Sequence, residues 1–306
     1  MPEQGKKAYG VKLVRGPFVR LPPHSGACTN EQDLLTLARA SGRPLAADLF
    51  CGAGGLSLGL QQAGFDVVMG IDNDKEALET HRSLLPGLSV SWDLGEDAVI
   101  ERVARLVSEA QITLVASGPP CQPFSKAGRS MIRDLVKTGR RDQHDHRRDL
   151  WQSFLTVVAR AMPPAVLMEN VPEMALDRDM LILRTMVDEL EALGYAVEER
   201  VIDAWRYGIP QFRQRLILVA LRDGIRFDWP EEIAEQVTVN NAIGDLPPVE
   251  GGWRPDGGAE GWTPYEGPKT TFQRAAREGI PAPLAYRVYD HITRPVPTAD
   301  RCHGVA

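Results

Sequence analysis

The chain has 306 residues, of which 43% are hydrophobic and 25% are charged, a balance typical of globular proteins. It contains no apolar run near the roughly 18 residues of a membrane span, and its polar, basic N-terminus lacks the apolar core of a signal peptide, so we expect a cytoplasmic protein. The net charge of −6 weighs weakly against nucleic acid as a partner, and four cysteines without a CxxC pair favour neither a disulfide framework nor a metal site.

The sequence divides into three segments by its texture. Residues 1–43 are an N-terminal extension that is rich in proline at first and then predicts a short helix, Glu31–Ala40. Residues 44–224 form the predicted main domain. Residues 225–306 are rich in glycine and proline and show no clear helix or strand pattern, so we predict a separate, loop-rich region.

Short apolar runs alternate with helical patterns throughout the main domain. Strands are predicted over Leu45–Phe50, Asp66–Ile71, Ile112–Ser117, Ala165–Met168, Ala196–Ile202 and Leu216–Leu221. Helices are predicted near Leu56–Ala63, Lys75–Leu84, Val99–Glu109, Leu150–Ala161 and Met180–Leu193. This order predicts an α/β fold, in which a mostly parallel sheet carries helices on both faces and binds ligands at the carboxyl ends of its strands.

A glycine-rich loop, Asp48–Gly59, follows the first predicted strand and opens a helix. Three of its glycines can let the backbone approach a ligand closely: Gly52, Gly54 and Gly55. The same logic builds a dinucleotide site, so a nicotinamide-dependent dehydrogenase is an alternative. The spacing is not G-x-G-x-x-G, because Ser57 stands three residues after Gly54, and a pyrophosphate cradle is therefore less favoured.

Two carboxylates follow later strands. Asp72 ends the second predicted strand, 20 residues after Gly52, where a carboxylate can accept both hydroxyls of a ribose. Asp93 can end a third strand and accept an adenine amino group. An adenosine without a diphosphate fits S-adenosylmethionine, while ordinary loop capping is the alternative for both carboxylates.

The fourth predicted strand leads into Ala116–Ser125, where Cys121 stands between prolines and is held outside any helix. An unperturbed thiol is only about 3% thiolate at pH 7, so a nucleophilic role requires a site that lowers its pKa. Glu169 follows the next strand and should lie beside this loop, because sequential strands are usually adjacent. A thiolate paired with a carboxylic acid suits addition to an electron-poor ring.

Two further segments are rich in cations. Residues 126–148 hold eight cationic side chains against three acids, which is most often a solvated loop. In the segment Tyr207–Leu216, the residues Gln211, Arg213 and Arg215 alternate and share one face if the backbone is extended. A charge-protected strand edge is the alternative explanation for that alternation.

With these motifs in order, the chain resembles the DNA (cytosine-5)-methyltransferase family from about Ala46 to Leu246. The matching pieces are Asp48–Gly59, Gly70–Asn73, Gly118–Ser125, Asp145–Trp151, Glu169–Val171, Tyr207–Arg215 and Ala242–Pro247. The resemblance implies a Rossmann-like, S-adenosylmethionine-dependent methyltransferase fold in residues 44–224, and the start of a target-recognition region in residues 225–306.

The resemblance also implies a reaction. A cytosine of double-stranded DNA is flipped out of the duplex, Cys121 adds to its C6 atom, and Glu169 protonates or hydrogen-bonds N3. The activated C5 takes the methyl group, and loss of the C5 hydrogen with expulsion of Cys121 completes the cycle. Arg215 binds the base oxygen and Arg213 supports the pocket. A restriction-modification or related defence system is the expected setting.

The family pattern assigns further residues to ligands. The cofactor would contact Phe50, Gly52, Gly54, Gly55, Leu56, Asp72, Asn73, Asp93, Leu94, Pro120 and Leu150, although Asn73 stands where an aromatic residue is often found. DNA would contact Gln122, Ser125, Arg129, Arg148 and Gln211, and the basic segment 126–148 matches the loop that closes over DNA.

The later motifs of the family are not visible before Ala306. Its arginine-rich motif and its final Gly-Asn-(Ser/Ala)-Val motif are both missing, so we expect a fragment or a second polypeptide that completes the recognition region. Two alternatives stay open beside the DNA enzyme. One is a transfer-RNA cytosine-5 methyltransferase with the same chemistry, and the other is a non-catalytic nucleic-acid-binding subunit.

Overall fold

The computed structural model describes residues 22–120, 150–175, 181–233, 235–246, 262–264, 267–277 and 287–289. Its strands are β1 (Ala27–Cys28), β2 (Leu45–Leu49), β3 (Asp66–Asp72), β4 (Gly87–Ser91), β5 (Leu114–Ser117), β6 (Ala165–Asn170), β7 (Ala196–Asp203), β8 (Gln214–Leu221), β9 (Trp262–Pro264) and β10 (Arg287–Tyr289). Its α-helices are α1 (Glu31–Ala40), α2 (Gly55–Gln62), α3 (Lys75–Leu84), α4 (Asp97–Glu109), α5 (Leu150–Ala161), α6 (Leu181–Ala192), α7 (Val239–Ile243) and α8 (Thr271–Arg277).

The first eight strands form one sheet in the order β1-β4-β3-β2-β5-β6-β8-β7. The pairs from β1 to β6 are parallel, whereas β8 runs antiparallel to β6. The order changes direction between β2 and β5, which is where α/β folds of this kind bind ligands. The predicted α/β class with a mostly parallel sheet is therefore confirmed.

The central strand β2 shows how the sequence builds this sheet. All five of its residues are buried, as expected for a parallel strand covered on both faces. Leu45, Ala47 and Leu49 belong to the larger core cluster, which includes residues of α1, α4, α5 and α6. Ala46 belongs to a smaller cluster with Leu60 of α2. Alternate residues of one strand thus bury against helices on opposite faces.

The helix boundaries follow from capping residues. Asp74 begins α3, since its Oδ1 atom accepts hydrogen bonds from the backbone N–H groups of Glu76 (2.9 Å) and Ala77 (3.1 Å). Gly64 and Gly194 follow α2 and α6 with φ angles of +99° and +88°, the left-handed conformation that ends helices. None of the helices in the described ranges is long and apolar enough to cross a bilayer.

Several elements differ from the sequence predictions. Residues 225–306 were predicted without helices or strands, but α7, α8 and the antiparallel pair β9–β10 lie there. The helix α7 has only five residues and depends on a capping box between Thr238 and Asn241, so it carries no periodic signal. The extension 1–43 also contributes structure beyond its predicted helix, because β1 pairs with β4 in the sheet.

Contacts divide the chain into two compact units. The first comprises residues 1–200 and 216–227, and the second comprises residues 201–215 and 228–306. The segment that leads into β8 therefore groups with the C-terminal part of the chain.

We predict that Gly87→Ala destabilises the fold by about 2–4 kcal/mol of unfolding free energy. Gly87 has a φ angle of +86°, and a Cβ atom there would lie 2.5 Å from the carbonyl oxygen of Val68. Gly42→Ala is the control, since a Cβ atom at Gly42 meets nothing within 4 Å. Chemical denaturation measures both changes, and equal stability of the two variants would contradict the packing of β4 against β3.

Candidate active site

A cavity of about 380 Å³ lies at the carboxyl ends of the central strands in the first unit. Its walls are formed by residues at or just after the ends of β2, β3, β4 and β5, together with the start of α5. The lining residues are Phe50, Asp72, Asn73, Asp74, Trp92, Asp93, Leu94, Gly118, Pro120 and Leu150. Seven of them were predicted to contact a cofactor: Phe50, Asp72, Asn73, Asp93, Leu94, Pro120 and Leu150.

The glycine turn after β2 is anchored to β3 by the backbone. The N–H of Cys51 donates to the carbonyl of Ile71 at 3.0 Å, and the N–H of Gly52 donates to Oδ2 of Asp72 at 2.8 Å. Phe50 begins the turn with a φ angle of +62°, which is rare for a bulky residue. Such strained backbone persists where the surrounding structure enforces it, often at ligand sites.

Both carboxylates named from the sequence make loop-capping hydrogen bonds. Asp72 accepts from Gly52 and, through Oδ1, from the N–H of Asp74 at 2.8 Å. Asp93 accepts from the N–H of Gly95 at 2.8 Å through Oδ1. Capping does not exclude ligand binding, because each carboxylate oxygen carries more than one lone pair and both residues line the cavity.

Four predicted cofactor residues are not among the residues that line the cavity: Gly52, Gly54, Gly55 and Leu56. Leu56 packs against the smaller core cluster. A Cβ atom on Gly54 would lie 2.7 Å from Cδ1 of Leu85, so internal packing explains this glycine without a ligand. At Gly52 and Gly55 a Cβ atom would meet nothing within 4 Å.

Three lining residues were not predicted: Asp74, Trp92 and Gly118. Asp74 is the N-cap of α3, and an aspartate at this position predicts the start of a helix rather than a contact with a ligand. The guanidinium of Arg102 lies 4.2 Å from the centroid of the Trp92 ring, a cation–π arrangement. The adjacency of Trp92 to Asp93 and of Gly118 to Pro120 was the available signal for both residues.

Glu169 lies near the end of β6, directly beside the loop that leads towards Cys121. Because β5 pairs with β6 in parallel, Ser117 lies opposite Met168, and a Cβ atom on Gly118 would be 3.7 Å from Oε2 of Glu169. The side chain of Asn170 donates to the carbonyl of Pro119 at 3.3 Å. The predicted adjacency of this strand and this loop is therefore observed as far as Pro119.

Several predicted residues lie outside the described residues. They are the nucleophile candidate Cys121 and the DNA-contact candidates Gln122, Ser125, Arg129 and Arg148, together with the basic segment 126–148. Cys51 is described and is buried, and its burial together with the nearby Asp48 and Asp72 raises the pKa of its thiol. That environment opposes a thiolate, so Cys51 is not a second nucleophile candidate.

The three alternating residues of the Tyr207–Leu216 segment belong to the second unit. Strand β8 begins only at Gln214, so Arg215 lies in a strand, whereas Gln211 and Arg213 lie in the irregular segment before it. Gln211 and Arg213 are exposed and Arg215 is half-buried. The alternation predicted one shared face for all three residues if the backbone is extended. Of the three, only Arg215 lies in a strand.

Comparison with known proteins gives a family. A sequence model described as C-5 cytosine-specific DNA methylase matches residues 46–259. Among curated relatives, the type II methyltransferase M.XorII of Xanthomonas oryzae pv. oryzae is 34% identical over 212 residues, which cover 68% of this chain and 47% of the relative. The type II methyltransferase M.AquIA of Picosynechococcus is 32% identical over 230 residues, covering 66% of this chain and 88% of the relative.

A solved structure agrees with these relatives. A crystal structure described as a DNA modification methyltransferase encoded within a prophage (E. coli) superposes with a TM-score of 0.57 at 26% identity, covering 76% of this chain and 63% of that one. The chain spans about half the length of M.XorII. Since the family match extends over more than half of its residues, the chain belongs to the C-5 cytosine-specific DNA methylase family.

Proposed function

We propose that this chain transfers a methyl group from S-adenosylmethionine to C5 of a flipped-out cytosine in double-stranded DNA. The observation that carries the proposal is the cavity at the carboxyl ends of β2–β5, lined by Asp72 and Asp93, with Glu169 on the neighbouring strand. The type II methyltransferases among the relatives support a role in restriction-modification.

The cavity suits an adenosine by size and by chemistry. Its volume of about 380 Å³ is within the range of small-molecule sites. Asp72 would accept the ribose hydroxyls and Asp93 the adenine amino group, while Phe50, Leu94 and Leu150 offer apolar contact. S-adenosylmethionine supplies the methyl group when it is bound there.

The reacting groups would come from the loop after β5 and from the end of β6. The thiolate of Cys121 forms a bond to C6 of cytosine, and Glu169 holds a proton at N3, so that electron density moves to C5. C5 would then bond to the methyl carbon as the bond from that carbon to the cofactor sulfur breaks, and S-adenosylhomocysteine would be the leaving group. A base then removes the C5 hydrogen as a proton and the C6–sulfur bond breaks. The thiolate is regenerated, and no oxidant or reductant is needed.

We predict that Cys121→Ser abolishes methyl transfer and changes the affinity for S-adenosylhomocysteine by no more than about three-fold, because the thiolate is the nucleophile rather than a cofactor contact. Cys51→Ala is the matched control. It removes a buried thiol beneath the glycine turn, and turnover should persist. Transfer of a tritiated methyl group to duplex DNA and to transfer RNA measures both variants.

Substantial methylation by Cys121→Ser would overturn the mechanism. Methylation of transfer RNA without methylation of DNA would overturn the substrate while leaving the chemistry in place.

We predict that S-adenosylhomocysteine raises the melting temperature of the protein, since a ligand that binds only the folded state stabilises it by mass action. Asp72→Ala should weaken binding by roughly 1–3 kcal/mol through the loss of ribose hydrogen bonds. Asp228→Ala, at an exposed carboxylate, is the control. Stabilisation by NAD but not by the homocysteine product would indicate a dehydrogenase.

We further propose that target recognition needs a lobe outside the catalytic residues, supplied by a second polypeptide. The matched region covers 88% of M.AquIA but about half of M.XorII, so these relatives differ in how much chain lies outside the matched region. Base-edge contacts specify a sequence, and phosphate contacts cannot replace them.

We predict that residues 1–306 alone bind duplex DNA weakly, with steep salt dependence and little sequence preference. Flipping a base costs a few kcal/mol, which a second lobe gripping the duplex normally offsets. Titration against random and genomic duplexes at two salt concentrations measures the effect. Tight, site-selective binding by the isolated chain would contradict the need for a second lobe.

A further inference from the structure

Four polar side chains form a continuous chain of hydrogen bonds beneath the glycine turn. Oγ of Ser57 lies 2.6 Å from Oδ2 of Asp48 and 3.1 Å from Nε2 of His81, and Nδ1 of His81 lies 2.8 Å from Oγ of Ser89. Asp48 and Ser57 are completely buried, His81 is 1% exposed and Ser89 is half-buried. These hydrogen bonds join β2, α2, α3 and β4, and the segments that follow β2 and β4 line the candidate cofactor site.

Two glycines fit closely around the imidazole ring of His81. A Cβ atom on Gly70 would lie 2.4 Å from Cε1 and 2.5 Å from Nε2 of the ring, and a Cβ atom on Gly54 would lie 3.0 Å from Cδ2. Gly70 lies in β3 and is not among the glycines with a positive φ angle. A glycine is therefore required here by the space that the His81 ring occupies and not by the backbone conformation. The fit leaves the ring one position, with one nitrogen towards each serine.

Asp48 and His81, the two ionisable side chains joined by these hydrogen bonds, are both buried. Among the described residues none offers a hydrogen bond to Oδ1 of Asp48, and burial raises the pKa of this carboxyl to about 7, with the charge of Asp72 adding to the rise and Ser57 opposing it. Burial lowers the pKa of His81 to about 4, against the opposing effect of Asp72, so the imidazole is neutral at neutral pH. The titratable groups that face the chain are Asp72 and the thiol of Cys51.

The four side chains can order their hydrogen bonds in two opposite donor-to-acceptor directions, because a hydroxyl and a neutral imidazole each donate one hydrogen. With Asp48 ionised, Ser57 donates to the carboxylate, Nε2–H of His81 donates to Ser57, and Ser89 donates to Nδ1. With a proton on Oδ2 of Asp48, the carboxyl donates to Ser57, Ser57 donates to Nε2, and Nδ1–H donates to Ser89. A proton on Oδ1 would be a buried donor without an acceptor, which is costly.

We propose that His81 is a positioning residue of the cofactor site, whose imidazole hydrogen moves from Nε2 to Nδ1 when Asp48 takes up one proton, so that the hold on the glycine turn and the affinity for the cofactor depend on pH. The link to the cofactor rests on the proposed function. The reversal of the hydrogen bonds is a property of the protein without ligand.

The direction in which the cofactor affinity changes with pH follows from the carboxyl group of Asp48. Asp72 lines the cavity and its charge raises the pKa of Asp48. A ligand bound in the cavity removes water that screens this repulsion, which favours the neutral form of Asp48. Binding of S-adenosylhomocysteine, whose thioether sulfur carries no charge, is then linked to proton uptake above pH 7, and its affinity falls as the pH rises through that value. For the same reason, the folded state gains stability from the neutral carboxyl below its ordinary pKa of 3.8 and loses it as the pH rises through about 7.

The test is a nitrogen-15 NMR titration of the imidazole signals from about pH 5 to 9, which distinguishes the two neutral tautomers of histidine. His81→Gln assigns the signals. In the wild-type protein the hydrogen should occupy Nδ1 at low pH and Nε2 at high pH, with a midpoint near the pKa of Asp48 of about 7. Ser57→Ala should abolish this midpoint. Ser83→Ala, which removes a hydroxyl that donates to Thr80 on the same helix, should leave it unchanged.

Calorimetry with S-adenosylhomocysteine tests the link to the cofactor. Its dissociation constant should rise about three-fold or more from pH 6 to pH 8.5 in the wild-type protein and in Ser83→Ala, and should stay flat in Asp48→Asn, which removes the titrating carboxyl. A single tautomer across the pH range, or the same midpoint in Ser57→Ala, would overturn the proton chain. Absence of binding at every pH would overturn the proposed function and this link, while the NMR titration still decides the tautomer.

Discussion

A sheet covered by helices on both faces can present polar groups to a ligand only where its strands end. This constraint accounts for the layout of the candidate site, because β2, β3, β4 and β5 are parallel and finish at one edge. Except for Leu150 at the start of α5, the cavity is lined by residues at or just after the ends of these strands. The reversal of strand order between β2 and β5 separates the neighbouring segments and leaves room for a ligand.

Asp48 departs from that pattern, since it is a carboxyl group inside a strand whose five residues are all buried. Isolated buried charges are strongly disfavoured, and buried polar groups normally find partners. Ser57, which is itself hydrogen-bonded to His81, supplies a partner for one oxygen of Asp48, and none of the described residues supplies a hydrogen bond for the other. The glycine turn therefore follows a buried carboxyl group whose pKa of about 7 leaves it partly ionised at neutral pH.

Local patterns made most of the first unit predictable. The buried strand β2 is apolar at every position except Asp48, and Asp74, Gly64 and Gly194 mark helix ends by their backbone chemistry. Residues at strand ends could be named as cavity residues because parallel strands end together. Contacts between distant residues leave no such pattern: His81 lies 24 positions from Ser57, and α7 and β9–β10 depend on capping and on non-local pairing.

The short strand β1 has a consequence for how the protein can be handled. Ala27 and Cys28 pair with Gly87 and Leu88, and Leu34 of α1 is completely buried in the main core. Removing the residues before 44 would strip the outer backbone of β4 of its partner and open the core beside it. An uncovered strand of that kind is a template for pairing with other molecules, so a trimmed catalytic domain would be prone to aggregation even with its cavity intact.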